Sequence, residues 1–521
     1  MNRYLYFTVF VSGLTTLAIE LSASRLLGNV FGTSNLVWAA IIGLILIYLT
    51  VGYFLGGRWA DRSPHPQTMY AILAWGAFLA GLVPFFSRPV LWLAADAFDQ
   101  LQMGALLGAF VSVLALFSVP VTLLGTISPF AIRLAVKDSR QAGTLSGQIY
   151  AVSTLGSFIG TYLPGLLLIP LIGTIRTFLV FSIVLTLVAL IGLWRTAGWK
   201  KAALYAWMLV VLAFLILFQS LGPVKKTVGQ IYETESAYNY IQVLEQDGYR
   251  YLRLNEGQGI HSVWHPTQID FQGPWEQFLV SPFFYPDMRV QDVKSMAIVG
   301  LAAGTTAREA TAVFGPIPID GFEIDPAIIA VGRKYFDMNE PNLHAIAQDG
   351  RWGLAHSQKK YTLIAVDAYR PPYIPAHLTT REFFQIVRDH LTEDGAVAIN
   401  VGRSPTDREL INGLAGTLQS VFPSIYVMDI PDTFNSMIYA TVQPTNVANL
   451  QENYIQLQEL AANSPGSVHP LLIQVLERFM INQQPTPKSQ VVFTDDWSPV
   501  EWITNNMVLS YVFSKDIENL H

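Results

Sequence analysis

Three acids follow one glycine-marked turn at intervals that suggest a ligand site. The stretch IVGLAAGTTARE (298–309) carries Gly300, Ala303 and Gly304, and Glu323, Asp349 and Asp367 come after it. Gly300 and Gly304 permit close backbone approach to a ligand at a helix N-terminus. Glu323 ends a strand-like run about 20 residues on, where an acid can accept hydrogen bonds from both ribose hydroxyls. Asp349, in AQDGRWG with Gly350 behind it, can accept from an adenine amino group. Asp367 closes the apolar run LIAVD and would point into the same crevice, with Tyr369 beside it. Any one of these acids could be a helix cap, as Asp325 before Pro326 is expected to be. Together they converge on a nucleoside. The loop G-L-A-A-G-T-T is not the G-x-G-x-x-G of pyrophosphate sites. Ligands that present adenosine and an amino-acid-like tail without phosphates, the adenosyl-sulfonium compounds, suit it better.

The elements that must hold these residues alternate. SMAIVG, PIDGFEI, YTLIAVD and GAVAINV read as buried strands, and TAREATAVF, DPAIIAVGRKYF and REFFQIVRDHL as helices between them. Such alternation implies a parallel, doubly wound sheet of Rossmann type, with ligands beyond the carboxyl ends of its strands. Before it, residues 231–285 alternate in strand fashion around Asp247-Gly248, a hairpin turn pair, and predict a small antiparallel β-lobe.

The remainder is different material. The chain has 521 residues, 51% hydrophobic and only 13% charged. Long apolar runs fall near 4–24, 36–56, 68–87, 103–127, 147–172, 175–194 and 203–221, each close to the ~20 residues that cross a bilayer. The expected domains are therefore a transmembrane region of about seven helices (1–222), a linker and β-lobe (223–290), and a Rossmann-like nucleoside-binding domain with a C-terminal extension (291–521). Arg58 and Arg62, then Arg133, Lys137 and Arg140, then Arg195, Lys200 and Lys201 mark cytoplasmic loops, as does Arg3 at the N-terminus. Seven crossings would leave the second half outside the cytoplasm, so the run SRPVLWLAADAFDQL (87–101) is a candidate re-entrant or interfacial piece. Glu20 and Arg25 are spaced to pair with each other inside the first run. With no cysteine, disulfide and thiolate chemistry are excluded. The nine histidines show no paired spacing, so no metal is expected. A net charge of −6 without a basic run argues against nucleic acid.

Motifs in register bring a resemblance. GFEIDPAIIAVGRKYF, then QDGR, VDAYRPP and LTTREFF, with YNYIQV and LRLNEG before them, resemble the spermidine synthase family (polyamine aminopropyltransferases) over roughly 236–403. The apolar helices resemble those of its membrane-fused members. The resemblance implies a class I methyltransferase-type fold and transfer of an aminopropyl group from decarboxylated S-adenosylmethionine to a small-molecule amine, with no metal. It implies Glu323 for the ribose, Asp349 for adenine, Asp367 as catalytic acid and Tyr369 in the substrate loop, and it admits a homodimer in a lipid bilayer. A cytosolic cofactor implies a cytoplasmic domain, against the span count.

The departures fall on the amine side. The family loop G-G-G-D-G-G has Ala303 at its acid, and D-S-S-D-P reads DAYRP here, so Arg370 replaces the second acid. Tyr-Gln becomes Tyr238-Asn239, and Tyr-His-Glu becomes Pro274-Trp275-Glu276. Asn239 and Glu276 are nevertheless expected to line the substrate side. Downstream, VVFTDDWSPVEW (491–502) concentrates Asp495, Asp496 and Glu501, which either cap a helix or replace the lost amine contacts. Because Ala303 and Arg370 remove negative charge, S-adenosylmethionine itself and methyl transfer form the alternative. A non-catalytic or transport-associated binding protein is the third reading.

Overall fold

The structure is a computed structural model that describes residues 2–31, 35–101, 105–218, 227–255, 259–369, 373–405 and 407–513. Arg370 therefore lies outside the described residues. The chain divides into two compact units. One comprises Met1–Lys226 with Thr234–Tyr240, the other Thr227–Glu233 with Ile241–His521.

The first unit is helical. Its helices are α1 (Asn2–Phe31), α2 (Asn35–Arg62), α3 (Pro66–Leu101), α4 (Ala105–Gly125), α5 (Ile127–Ala135), α6 (Ala142–Leu163), α7 (Ile169–Ile172), α8 (Thr174–Ala197), α9 (Trp199–Ala203) and α10 (Ala206–Leu217). Among the described residues, seven helical stretches are long and apolar enough to cross a bilayer. Small residues set the helix contacts. A methyl at Gly156 or Gly160 on α6 would lie 2.1 Å from the carbonyl oxygen of Phe10 or Leu14 on α1. Backbones approach this closely only where side chains are absent, the small-residue packing that also holds helices together in bilayers. Residues 87–101 continue α3 as helix, despite Pro84 and Pro89 inside it, and the candidate span on this helix ends at Ser87; neighbouring helices tolerate such prolines. One expectation is corrected. Arg25 donates to the backbone carbonyls of Ser236 and Tyr238, within this same unit, where a pair with Glu20 was expected.

Two sheets follow in the chain. β1 (Gln230–Glu235), β2 (Tyr240–Gln246), β3 (Tyr249–Leu254) and β4 (Ile260–Trp264) form an antiparallel sheet in that order. Asp247 and Gly248 both have positive φ, 51° and 84°, as the twist-matched two-residue hairpin requires. The alternation stops at Trp264. Residues Glu276–Phe284 are a wholly buried 3-10 segment: Phe278, Leu279, Val280, Phe283 and Phe284 join the core of the larger sheet, and Glu276, Gln277 and Ser281 are buried with them.

That sheet contains β5 (Met296–Val299), β6 (Ile319–Glu323), β7 (Leu343–Ala347), β8 (Tyr361–Val366), β9 (Leu391–Gly402), β10 (Ser424–Asp429), β11 (Asn435–Thr441) and β12 (Gln483–Gln484), in the order β12-β10-β11-β9-β8-β5-β6-β7. β5 through β9 run parallel, and β11 runs antiparallel to β9. α11 (Thr305–Phe314), α12 (Pro326–Tyr335), α13 (Gly350–Ala355) and α14 (Arg381–Asp389) make the crossovers. After β5 the chain moves one way to β6 and β7, then returns to β8 on the other side. The switch point, where such folds bind ligands, is the crevice between the ends of β5 and β8. α15 (Glu409–Gln419), α16 (Val447–Asn463), α17 (Pro470–Asn482) and α18 (Val500–Phe513) complete the second unit.

Candidate active site

The crevice is built on backbone that only glycine tolerates. Gly300 has φ +92°, and a methyl there would stand 2.6 Å from Ala368 N and from the Asp367 carbonyl oxygen. Gly304 has φ +88° and would meet Met338 Cγ at 2.6 Å. Between them the buried Ala303 gives its N–H to Ser262 Oγ at 2.9 Å and brings no charge. Gly350 opens α13, and a methyl there would lie 2.5 Å from Val299 Cγ1, so the helix seats on β5 only without a side chain.

Glu323 ends β6 in a buried position. Its Oε2 accepts the Ala302 N–H and its Oε1 the Asp325 N–H, both at 3.0 Å. Each oxygen keeps a second lone pair for a ligand hydroxyl. Burial pushes the carboxyl up to about 7, against the pull of these backbone donors. Asp367, just beyond β8, accepts from Asn400 Nδ2 at 2.9 Å, and Asn400 in turn accepts from Asn435 at 2.7 Å. Burial pushes Asp367 up to about 7 as well, with the Asn400 bond opposing. Tyr369 stands over Gly402, where a methyl would lie 3.1 Å from its hydroxyl.

The remaining expected residues divide. Asp349 caps α13 through the Trp352 N–H at 2.9 Å and meets His377 Nε2 at 3.0 Å. Asp495 is bound by Arg351 through two 2.7 Å bonds and by Thr380 at 2.8 Å. Its carboxylate is therefore spent on fastening the C-terminal segment to α13 and α14. Asp496 is exposed in the turn between Thr494 and Trp497. Glu276 is fully buried, bound by Gly273 N–H and Arg478. Asn239 lies in the first unit, in a turn closed through Ser236.

Residue patterns missed four groups. Ile324 follows Glu323 and is 44% exposed, an apolar surface at the crevice edge. Asn400, the partner of Asp367, comes from the next strand. Glu309 and Gln277 are fully buried polar side chains. The FEID stretch, in which an aliphatic side chain sits between two acids at a strand end, was a readable sign for Ile324. The other three gave none.

Comparison with known proteins finds similarity to one family. Residues 285–453 match the spermine/spermidine synthase domain. A probable polyamine aminopropyl transferase of Bifidobacterium longum is 31% identical over 280 residues, 52% of this chain and 61% of the relative. The chain thus spans about three fifths of that protein. A polyamine aminopropyltransferase of Vibrio vulnificus is 25% identical over 305 residues, 56% of this chain and 97% of the relative. Among solved structures, a probable spermidine synthase from Corynebacterium glutamicum is 16% identical, with a TM-score of 0.38 over 47% of this chain and 96% of that one.

Proposed function

We propose that the spermine/spermidine synthase domain of this chain, residues 285–453, works as an aminopropyltransferase anchored in a membrane by the apolar helices. The substrates in this reading are decarboxylated S-adenosylmethionine and a small amine. The observation that carries it is the place of Asp367, just beyond β8 at the switch-point crevice, where Asn400 donates to it and no basic side chain is among its described hydrogen bonds.

In this reading Glu323 accepts from the ribose hydroxyls, Ile324 lies against the adenine, and the turn from Gly300 to Gly304 gives room for the sulfonium tail. Asp349 offers its remaining lone pairs to the adenine amino group. The amine nitrogen attacks the aminopropyl carbon bonded to sulfur. The carbon–sulfur bond breaks with its electron pair going to sulfur, which leaves a neutral thioether, methylthioadenosine. The new ammonium passes one proton to Asp367, a base matched to neutral pH. Tyr369 shapes the approach beside it.

Methyl transfer from S-adenosylmethionine is the second reading, favoured by the uncharged Ala303 in the loop. Calorimetry on the full chain in detergent micelles, with S-adenosylmethionine, its decarboxylated form and methylthioadenosine, tests both. Preference for the decarboxylated form supports the first reading and preference for the carboxylated form the second. Binding of none removes both and leaves a non-catalytic role.

A further inference from the structure

We propose that the acid absent at position 303 is supplied from elsewhere: Glu309 and Glu276 together bind one ammonium end of a diamine whose other, neutral amine faces Asp367. The inference rests on the aminopropyltransferase reading above. Glu309 lies one turn into α11, fully buried, and neither of its carboxylate oxygens has a hydrogen-bond partner. Three residues earlier on the same face, the Thr306 hydroxyl donates to the Trp275 carbonyl at 3.4 Å, which lays the Trp275-Glu276 stretch against this side of the helix. Glu276 uses Oε1 for Gly273 and Arg478, at 2.8 and 3.0 Å. Its Oε2 is buried without a partner, as are both polar atoms of the Gln277 side chain.

Three carboxylate oxygens buried without a donor are a heavy cost in any fold. A primary ammonium carries three N–H donors, one for each. Charge agrees with the count. Arg478 is bound to both Asp270 oxygens at 3.1 Å and reaches only one oxygen of Glu276, and Arg308, the neighbouring cation that feels Glu309, is shared with Glu340 and Asp337. Burial and the neighbouring acids accordingly hold Glu309 well above the usual carboxylate range, and burial takes Glu276 up to about 8. Glu309 also feels the charge of Asp367, so it lies within electrostatic reach of the reacting acid. These shifts favour the protonated acids in the empty site, and a bound ammonium favours their carboxylates. The attacking amine gives up one proton to become neutral in any site; diamine binding near pH 7 should release protons beyond that one, and the excess marks the acid pair.

The test is calorimetry on the full chain in detergent, saturated with methylthioadenosine, titrated with 1,4-diaminobutane in phosphate and in Tris to count protons. The expected result is release of more than one proton on binding to the wild type. In Glu309→Gln, diamine affinity falls by about 30-fold or more and the release shrinks, while methylthioadenosine affinity is unchanged. Glu309→Asp, which keeps the charge but shortens its reach, should fall between. Unchanged diamine affinity and proton release in both variants, or no diamine binding by a wild type that binds methylthioadenosine, overturns the acid pair and leaves the adenosyl site standing. Failure of the wild type to bind methylthioadenosine overturns the functional reading and this inference with it. If Glu309→Gln does not fold, as a melting curve shows, Glu276→Gln takes its place under the same criteria.

Discussion

Gly300 and Asp367 are locked together across adjacent parallel strands. The Asp367 N–H donates to the Val299 carbonyl at 2.8 Å, and the Asp367 carbonyl oxygen lies 2.6 Å from where a Cβ on Gly300 would be. One position thus sets the turn that opens the ligand crevice and the backbone of the acid that faces it.

Gly300→Ala should expose that coupling. At φ +92° an alanine is strained even in open space, and here its methyl would strike backbone, which cannot rotate away. A loss of about 1–3 kcal/mol in stability is expected, together with loss of methylthioadenosine binding. Melting curves and calorimetry on the full chain read the two effects. Wild-type affinity in the alanine variant would mean that the turn relaxes without disturbing the site.

Asp367→Asn keeps the shape of the side chain and its contact to Asn400 but removes the base. Transfer should fall by about 100-fold or more, in the range general-base catalysis contributes, with adenosyl-ligand affinity changed by less than about threefold. Product formation followed by mass spectrometry is the measurement. The wild-type rate should rise with pH through about 7 as Asp367 ionises, and the residual rate of the variant should lack this limb. Undiminished turnover in the variant would remove Asp367 from the chemistry.

Stability should run the other way with pH. Glu323 and Asp367 are pushed up to about 7 and Glu276 to about 8. Between their unfolded pKa values of about 4 and these folded ones, the native state binds more protons than the unfolded state. Their contribution is fully present below about pH 4 and is lost as pH rises through 7 to 8. Thermal unfolding should therefore shift downward between pH 6 and pH 8.5, and by less in Asp367→Asn. An upward shift in the wild type would show that these acids ionise easily in place.

Much of this site was legible from residue order. MAIV, IDGFE and TLIAV are continuous buried runs, the pattern of strands covered on both faces, and an acid or glycine at the end of such a run has one place to go. β7 was not legible as a strand, because Leu343–Ala347 is a half-exposed edge with weak alternation. Glu276–Phe284 carried enough apolar residues to resemble strand, but proline and all-round burial made it a 3-10 segment in the core. Partners distant in sequence left no local sign. Arg351 and Asp495 are 144 residues apart, and nothing in VVFTDDWSPVEW marks one acid as already paired. Glu309, within TAREATAVF, has the pattern of a solvent-facing helix residue and is instead completely buried.

That Arg351 pairing bears on Asp495 directly. If the acid fastens the C-terminal segment, Asp495→Asn should cost at most about 1 kcal/mol, the range for a partly exposed pair. Diamine affinity should stay within about threefold. A large, selective loss of diamine binding in calorimetry would instead return Asp495 to the amine site.

The side of the membrane on which the second unit lies can be read with one reporter, because the chain has no cysteine. If all seven candidate spans before residue 227 cross, the basic residues at the ends of α2, α5 and α8 share a side with the N-terminus. An odd number of crossings puts the N-terminus and the second unit on opposite sides. With the basic connections in the cytoplasm, a cysteine placed at the exposed Glu459 on α16 should react with a membrane-impermeant maleimide in intact cells. Such labelling would mean that an adenosyl ligand must reach the crevice from outside the cytoplasm. Labelling only after permeabilisation would mean that one of the seven apolar stretches does not cross, and would set the crevice beside cytosolic adenosyl metabolites.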